Sequence, residues 1–418
     1  MSFSNEVVLK DVSEYSKEKI DIGEISISNY VSTENLLPDI GGKALSSGLP
    51  SKGKATKYCK GDILISNIRP YFKKIWQADN EGGSSNDVLV LKAKRNIEGK
   101  FLYYNLACSA FFDYVMSGAK GTKMPRGDKN HILGYKLNLP PMQEQKAIAH
   151  ILSTLDDKIE VNNQINKTLE NMAQAIFKQW FVDFEFPNED GEPYKSSGGE
   201  MFESELGMIP KGWEVLSLAD IADIQKGLSY KGKHLVDDGV PMVNLGNINP
   251  GGGFRDDKIK YYNGDFKERH RVAAGDIVFA NTDMTQDRII LGSPCFVPRF
   301  KSETIIFTHH LFAFRDIKIP KSFLYYFLKS DSFRERAESY ATGTTVLALP
   351  KEGVISIRLS VATENLMKMF DDTVSRIIKE IEVLNYENHK LIAIRDTLLP
   401  KLMSGEIRVP FDEEGEVS

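Results

Sequence analysis

Residues 143–181 read QEQKAIAHILSTLDDKIEVNNQINKTLENMAQAIFKQWF. Within them Leu152, Leu155, Ile159, Asn162, Asn166, Leu169, Ala173, Ile176 and Trp180 recur at steps of three and four. This is heptad spacing with two polar interruptions, and it predicts one long helix beginning near Gln143. Pro140-Pro141 ends the segment before it, because proline neither donates to a ladder nor sits inside a helix. A helix of about 35 residues is about 50 Å long.

The pattern returns further along as Ile377, Ile381, Leu384, Asn388, Leu391, Arg395, Leu398 and Leu402. Nothing else in the sequence is large enough to cover two such stripes. They are expected to pack on each other as an intramolecular coiled coil. The seam is assigned to Leu152, Leu155, Ile159, Asn166, Leu169 and Ile176 on the first helix. On the second it is assigned to Ile377, Ile381, Leu384, Asn388, Leu391 and Leu398. Asn166 and Asn388 stand at matching positions. Buried, they would fix register at a cost in stability; with the seam displaced by one residue they would be solvated. Both readings stand at this level.

The helices are part of a longer duplication. Phe101-Leu102-Tyr103-Tyr104 returns as Phe323-Leu324-Tyr325-Tyr326, Gly121-Thr122 as Gly343-Thr344, and Ile159-Glu160-Val161 as Ile381-Glu382-Val383. Upstream, Gly61-Asp62-Ile63 matches Gly275-Asp276-Ile277, and Leu9-Lys10-Asp11-Val12 resembles Leu218-Ala219-Asp220-Ile221 at smaller offsets. A period near 200 residues is far too long for a solenoid. It describes a duplicated unit with a variable globular part and a less variable helical part. The expected division is 1–140 globular, 141–182 helical, 183–206 an acidic linker, 207–362 globular, and 363–418 helix and acidic tail. In the first globular part, a turn leads into a short strand at Ile63. Phe101 to Tyr114 reads as a helix, and Tyr135 to Leu139 alternates as a strand. Each globular part is therefore mixed α/β, and the fold class α+β. Val182, Phe184 and Phe186 alternate with acids, so a short strand is expected to leave the helix, followed by a mobile stretch to about 205. Trp180, Phe181, Phe184 and Trp213 read as packing residues.

The formal charge of the 418-residue chain is −5, but it is unevenly placed. Residues 181–206 sum to −7 and the tail Asp412–Glu416 to −4, which leaves the remainder at +6. Residues 52–74 alone carry +6. A polyanionic partner is therefore compatible with the acidic total; a solvated lysine-rich loop is the plainer reading of the same run. No run of 18 apolar residues predicts a membrane span. Met1 to Lys10 lacks the pattern of a secretory signal. Cys59, Cys108 and Cys295 are too few and too dispersed for a disulfide framework or a cysteine-rich zinc site.

The chain carries no complete catalytic motif. Residues 48–55, GLPSKGKA, approach a phosphate loop, but Ala55 stands where a hydroxyl must reach Mg²⁺. Residues 138–142, NLPPM, lack the Asn-Pro-Pro-aromatic order of an amino-methyltransferase. His309-His310 is a possible metal pair, but neighbours on a strand point to opposite faces.

Four segments, in order, resemble the specificity subunit of type I restriction-modification systems. They are Leu139-Pro140-Pro141 with Glu144-Gln145; Ile176 to Phe184; Ser204 to Val215; and Arg395 to Val409. The second helix start departs from the pattern, with Ala362-Thr363-Glu364-Asn365. The resemblance implies two target-recognition domains, separated by two long antiparallel helices, each domain reading one half of a split, asymmetric double-stranded DNA target. It implies two methyltransferase and two restriction subunits as partners. S-adenosylmethionine, ATP and Mg²⁺ would sit on those partners, with no cofactor, metal or catalysis on this chain, in the cytoplasm and away from membranes. A helix pair of fixed length acts as a ruler, which sets half-sites about one DNA turn apart, roughly 34 Å, or slightly more. A fused enzyme and a purely structural scaffold are the competing classes.

On this reading the DNA-binding candidates of the first copy are Ser66, Asn67, Arg69, Tyr71, Lys73 and Lys74, with Lys120, Thr122, Lys123 and Arg126 on a glycine-bearing loop. Asn and Arg are the side chains that bind adenine or guanine edges in bidentate fashion. The second copy offers Asn281, Thr282, Gln286 and Arg288, the loop Thr342, Thr344 and Thr345, and Tyr230, Lys231 and Lys233. A solvated loop is the alternative for each group.

Overall fold

The computed structural model describes residues 5–284, 288–343 and 346–409. Gln286, Thr344, Thr345 and the acidic tail fall outside them. The chain forms two compact units. One comprises Met1–Asn162 with Glu387–Ser418, the other Asn163–Tyr386. This division differs from the linear one expected above. The long helices are there, as Met142–Phe181 and Glu364–Ser404. They run antiparallel where they meet, so each unit takes half of each helix.

In the first unit, Glu6–Val8 pairs with Lys136–Asn138 and leads into the short helix Leu9–Val12. An antiparallel sheet follows, in the order Ser13–Tyr15, Val88–Ala93, Ile63–Ser66, Ile75–Gln77. A second sheet joins Lys19–Asp21, Lys54–Tyr58, Gly82–Ser84 and Tyr30–Val31. The near-phosphate-loop stretch thus runs into a strand, not a helix. Ile63 and Ile65 face the helices with Phe101, Leu102, Phe111 and Phe112. Leu64 faces the other way, with Tyr58, Val88 and Val90. A central strand covered on both faces reads as a continuous apolar run, which is why Ile63-Leu64-Ile65 does not alternate.

The second unit repeats this plan. Glu214–Ser217 pairs with Arg358–Val361. Its first sheet runs Asp223–Lys226, Leu311–Arg315, Ile277–Ala280, Pro294–Phe296. Its second sheet has five strands. The duplicated motifs are turn and cap chemistry. Asp62 accepts from the Cys59 N–H at 2.9 Å, and Asp276 from the Ala273 N–H at 2.9 Å. Gly61 and Gly275 beside them hold φ of 91° and 81°, a region that favours glycine. Asp11 and Asp220 likewise accept from the N–H three residues back.

Two expectations fail locally. Phe101 to Tyr114 is not one helix but two, Gly99–Leu106 and Ser109–Ser117. The apolar residues keep one helical phase across the break, so periodicity alone hides it. The second copy shows the signal, because Ser330 caps Asp331–Tyr340 by accepting from the Phe333 N–H. Val182 to Phe186 form no strand, and the stretch that follows takes defined structure. Phe184 turns the chain with φ 62°. Phe186 stacks on Tyr194 at 4.5 Å and on Trp213 at 5.5 Å. Met201–Ser204 and Gly207–Pro210 form a hairpin. Phe184 and Trp213 pack as expected, while the acidic composition masked Phe186 and Tyr194.

The helix seam differs between the units. In the first, the Asn162 Nδ2 donates to Asn388 Oδ1 at 2.8 Å, and both residues are buried. In the second, the Asn166 Nδ2 donates to Asn385 Oδ1 at 2.8 Å. Asn388 therefore lies in the seam, but its partner is Asn162 rather than Asn166. Leu152 and Leu384 are buried, and the other apolar seam residues named above are half-buried. In the second unit Phe370 is fully buried against Phe177 at 6.0 Å and Phe181 at 4.9 Å. Among the described residues no helix is long and apolar enough to cross a membrane.

The start of the first long helix is held by its own motif. Gln145 accepts from the Glu98 N–H at 2.8 Å and donates to the Pro140 carbonyl at 2.9 Å. Glu144 is fully buried and takes a bidentate pair from Arg408, at 2.7 and 2.6 Å. At the duplicated offset, Leu366 and Met367 replace Glu144 and Gln145, and Phe186 replaces Arg408. Leu366, Met367 and Phe186 all lie in the apolar core of the second unit. The departure at the second helix start thus exchanges a polar lock for an apolar one.

Arg408 is exposed but Glu144 is not, so removing the guanidinium strands a buried carboxylate, whereas replacing both can be neutral. Arg408→Ala is expected to lower the thermal unfolding midpoint. The double change Glu144→Leu with Arg408→Phe is expected to restore most of the loss. Phe370→Ala is expected to cost about 3–5 kcal/mol in denaturant unfolding of the second unit.

Candidate nucleic-acid interface

The chain leaves the strand Ile63–Ser66 through Asn67, and the geometry there is duplicated. The Asn67 N–H donates to the Asp87 carbonyl at 2.8 Å, and the Gly127 N–H donates to the Asn67 carbonyl at 3.1 Å. In the second unit, the Asn281 N–H donates to the His310 carbonyl at 3.0 Å, and the Leu349 N–H to the Asn281 carbonyl at 2.8 Å. Both asparagines bury an Oδ1 that has no hydrogen-bond partner among the described residues. Each also joins a second loop. Ile68 bridges Arg126, and Arg126 bridges Lys120. Thr282–Asp283 pairs with Leu347–Ala348, and Thr342 bridges Ala348.

The glycine of the repeated Gly-Thr lies on that second loop. Gly121 has φ 94° and Gly343 φ 108°. A Cβ at 343 would meet the Val346 carbonyl oxygen at 2.1 Å. Only glycine closes this turn without strain.

The first unit thus brings its two sequence-distant candidate groups onto one edge. Their placements differ. Ser66 is buried and donates to the Ile68 carbonyl at 3.1 Å, which braces the turn. Asn67 is half-buried. Lys74 donates to the Thr33 carbonyl at 2.6 Å, and burial pushes its pKa down. Lys73 donates to Ser109 Oγ at 3.0 Å. Lys120 pairs with Asp128 at 2.7 Å, and that pair holds the Asp128 carboxyl down at about 2. Arg126 lies 3.3 Å from Asp87. Arg69, Tyr71, Thr122 and Lys123 are exposed. Arg69 and Lys123 have no acidic partner among the described residues, so they are the cations most available to a polyanion.

The second unit presents a different set on the same frame. Asn281 is buried and its Nδ2 donates to the His309 carbonyl at 3.1 Å. Thr282 Oγ1 lies 2.9 Å from His310 Nδ1. Thr342 and Arg288 are exposed, Arg288 with φ 53°. Tyr230 packs inward and accepts from Lys260 Nζ at 3.0 Å, while Lys231 and Lys233 flank it in solvent.

Sequence reasoning weighed His309 and His310 only as a metal pair and missed their place on this edge. They occupy the turn between Ile305–Phe307 and Leu311–Arg315, with ring centroids 3.9 Å apart. The opposite-faces argument fails because these residues are not on a strand. Burial, His309, Lys226 and Lys260 push the His310 pKa down. Among the described residues no group of three or more His, Cys, Asp or Glu could hold a metal. The signal for the pair was its position after the run Ile305-Ile306-Phe307, where Asp87 stands in the first copy.

Comparison with known proteins bears on both copies. The description "Type I restriction modification DNA specificity domain" matches residues 3–171 and 210–361. The type I restriction enzyme MjaVIII specificity subunit of Methanocaldococcus jannaschii is 26% identical over 396 residues, covering 91% of this chain and 86% of that one. The HindI specificity subunit of Haemophilus influenzae is 26% identical over 417 residues, covering 85% and 88%. The crystal structure of the type I restriction-modification system S subunit from M. genitalium shares the fold, with TM-score 0.56, 16% identity and 96% of each chain covered. The duplicated frame and the matched segments coincide, and the chain belongs to the type I restriction modification DNA specificity domain family.

Proposed function

We propose that this chain reads DNA for a type I restriction-modification complex and performs no chemistry itself. It binds a bipartite, asymmetric double-stranded target, one half per unit. The observation that carries this reading is the duplicated loop frame at Asn67 and Asn281, dressed with different side chains. The first edge offers Arg69, Lys123 and Arg126; the second offers Thr282, Arg288 and the histidine pair. One frame with two side-chain sets suits one duplex with two different half-sites. Phosphate contacts from the lysines and arginines would set register, and base contacts would set sequence.

The helices support a partner assignment. Val161 and Ile394 in the first unit, and Val383 and Met172 in the second, are exposed apolar side chains. Val161 matches Val383 and Met172 matches Ile394 in the duplication. Two equivalent apolar sites suit two copies of one partner, which we assign to two methyltransferase subunits. Two restriction subunits would join for cleavage. S-adenosylmethionine, ATP and Mg²⁺ belong to those partners, and the complex works on host DNA in the cytoplasm.

The test is co-expression with the methyltransferase subunit, followed by sequencing of host DNA for modified adenines. A split motif with a constant spacer is expected. Exchanging residues 1–140 for those of another family member should change one half of the motif only; a change in both halves would sink the one-unit, one-half assignment. Native mass spectrometry checks the partners. Val161→Asp should reduce the methyltransferase copies from two to one, and the pair Val161→Asp with Val383→Asp should remove both. Full stoichiometry in the double variant would place the docking surface elsewhere.

A further inference from the structure

The first unit ends its candidate edge in an exposed aromatic pair. Tyr71 is 47% and Phe72 39% exposed, with ring centroids 4.6 Å apart. Met124, 49% exposed, stands on the adjoining loop. Large apolar side chains grouped at one tip, inside the most basic stretch of the chain, are an unusual surface for a protein to keep in water.

The tip is held rigidly. Pro70–Phe72 is a single 3₁₀ turn, closed by the Phe72 N–H to the Arg69 carbonyl at 3.0 Å and the Lys73 N–H to the Pro70 carbonyl at 2.8 Å. Arg69 and Lys73, on either side, both take left-handed backbone, at φ 48° and 51°. The Arg69 N–H is tied to the Pro125 carbonyl at 2.8 Å. A second loop supports the tip from the far side. The Asp39 N–H donates to the Phe72 carbonyl at 2.8 Å, and the Ile40 N–H to the Lys73 carbonyl at 3.0 Å. Asp39 and Ile40 are themselves left-handed, at φ 54° and 61°, and for a β-branched residue such as Ile40 that is a true outlier. Four strained residues on two mutually bonded loops thus present two rings to solvent. Strain concentrated in this way marks functional positions. A preordered ring also loses little freedom on binding.

We propose that Tyr71 and Phe72 form an aromatic wedge that enters the base stack of the half-site read by the first unit and opens one base step. This rests on the DNA-reading function proposed above. Arg69 and Lys73 lie on the flanks of the rings, where the phosphates of an opened step would stand. Apolar side chains inserted between base pairs unstack and kink a duplex, and the cost depends on the step. Pyrimidine–purine steps open most readily, so the wedge selects sequence by deformability without a hydrogen bond to a base.

The experiment uses the full chain with its methyltransferase subunit. The probe is a duplex carrying the motif found by sequencing, with 2-aminopurine placed in turn along the half-site. Wild type should brighten one step on binding, and that step should be pyrimidine–purine. The methylated adenine, flipped by the partner, brightens separately and serves as the internal control. Tyr71→Ala with Phe72→Ala should lose the first signal, retain the second, and weaken binding at least tenfold. Its dependence of affinity on salt should be unchanged, because no phosphate contact is removed. Its thermal midpoint should fall little, since neither ring belongs to the core. Wild-type affinity in the variant, or no opened step in wild type, overturns the wedge while specific binding of the duplex keeps the DNA-reading function intact. Failure of the wild-type complex to bind the duplex overturns that function instead. Loss of the methyltransferase from the variant assigns the rings to a protein contact and overturns the wedge.

Discussion

A helix of 40 residues with an apolar stripe along it has to be covered along its length. The chain meets this constraint with the duplicate of the same helix, run in the opposite direction. Much else follows from that choice. The core of the first unit takes in Leu402 and Val409 from the far end of the chain, together with Leu9 and Val12 from its start. Its sheets and short helices are therefore not fully packed until the second long helix is in place. Contacts this remote in sequence carry a large loop-closure cost and slow folding. They also make each unit's candidate edge part of a body that includes a portion of both helices.

The two copies solve the same packing problem with different chemistry. Where the first long helix begins, a buried carboxylate meets a guanidinium; where the second begins, leucine, methionine and phenylalanine fill the core. A second exchange lies along the seam. The Arg395 guanidinium meets Asp156 at 2.8 Å, and Tyr104 donates to the same carboxylate at 2.7 Å. At the duplicated offset the ion pair becomes Ala173 and Ile378. The backbone plan tolerates either solution because a polar lock contributes specificity more than net stability. A pair that is wrong in polarity strands a charge, so the two helices resist pairing each with a copy of itself. That asymmetry suits a protein whose two halves have to be told apart.

The long helices, the duplication, the strand at Ile63 and the packing role of Phe181 and Trp213 were legible because they rest on periodicity and composition. What was not legible rests on single residues and on tertiary contact. The break at Cys108 falls in phase with the helix on either side. The folded stretch after Phe181 hides two aromatic anchors, Phe186 and Tyr194, among eight acids. Of the candidate DNA contacts, residue type alone could not separate Arg69, which is exposed, from Lys74, which is spent on a carbonyl. Nor could it separate Ser66, buried, and Asn67, half-buried, at the root of one loop from the exposed Thr122 on the adjoining one. His309 and His310 were discounted by a strand rule that does not apply to a turn.

The edge residues divide into those that hold the backbone and those that face solvent. Gly121 and Gly343, the cap at Asp62 and Asp276, and the backbone bonds of Asn67 and Asn281 are common to both copies. Arg69, Lys123, Tyr71 and Phe72 have no duplicated counterpart in residue type. A frame fixed by backbone hydrogen bonds and by left-handed turns does not depend on the exposed side chains it carries. Those side chains can therefore change without repacking the core, because none of them contributes to it. Loops placed by a rigid scaffold are where recognition can diverge at little cost to folding. In this chain the separation is physical: the asparagine at the root of each edge and the glycine of the adjoining turn are the same, and the exposed side chains around them differ.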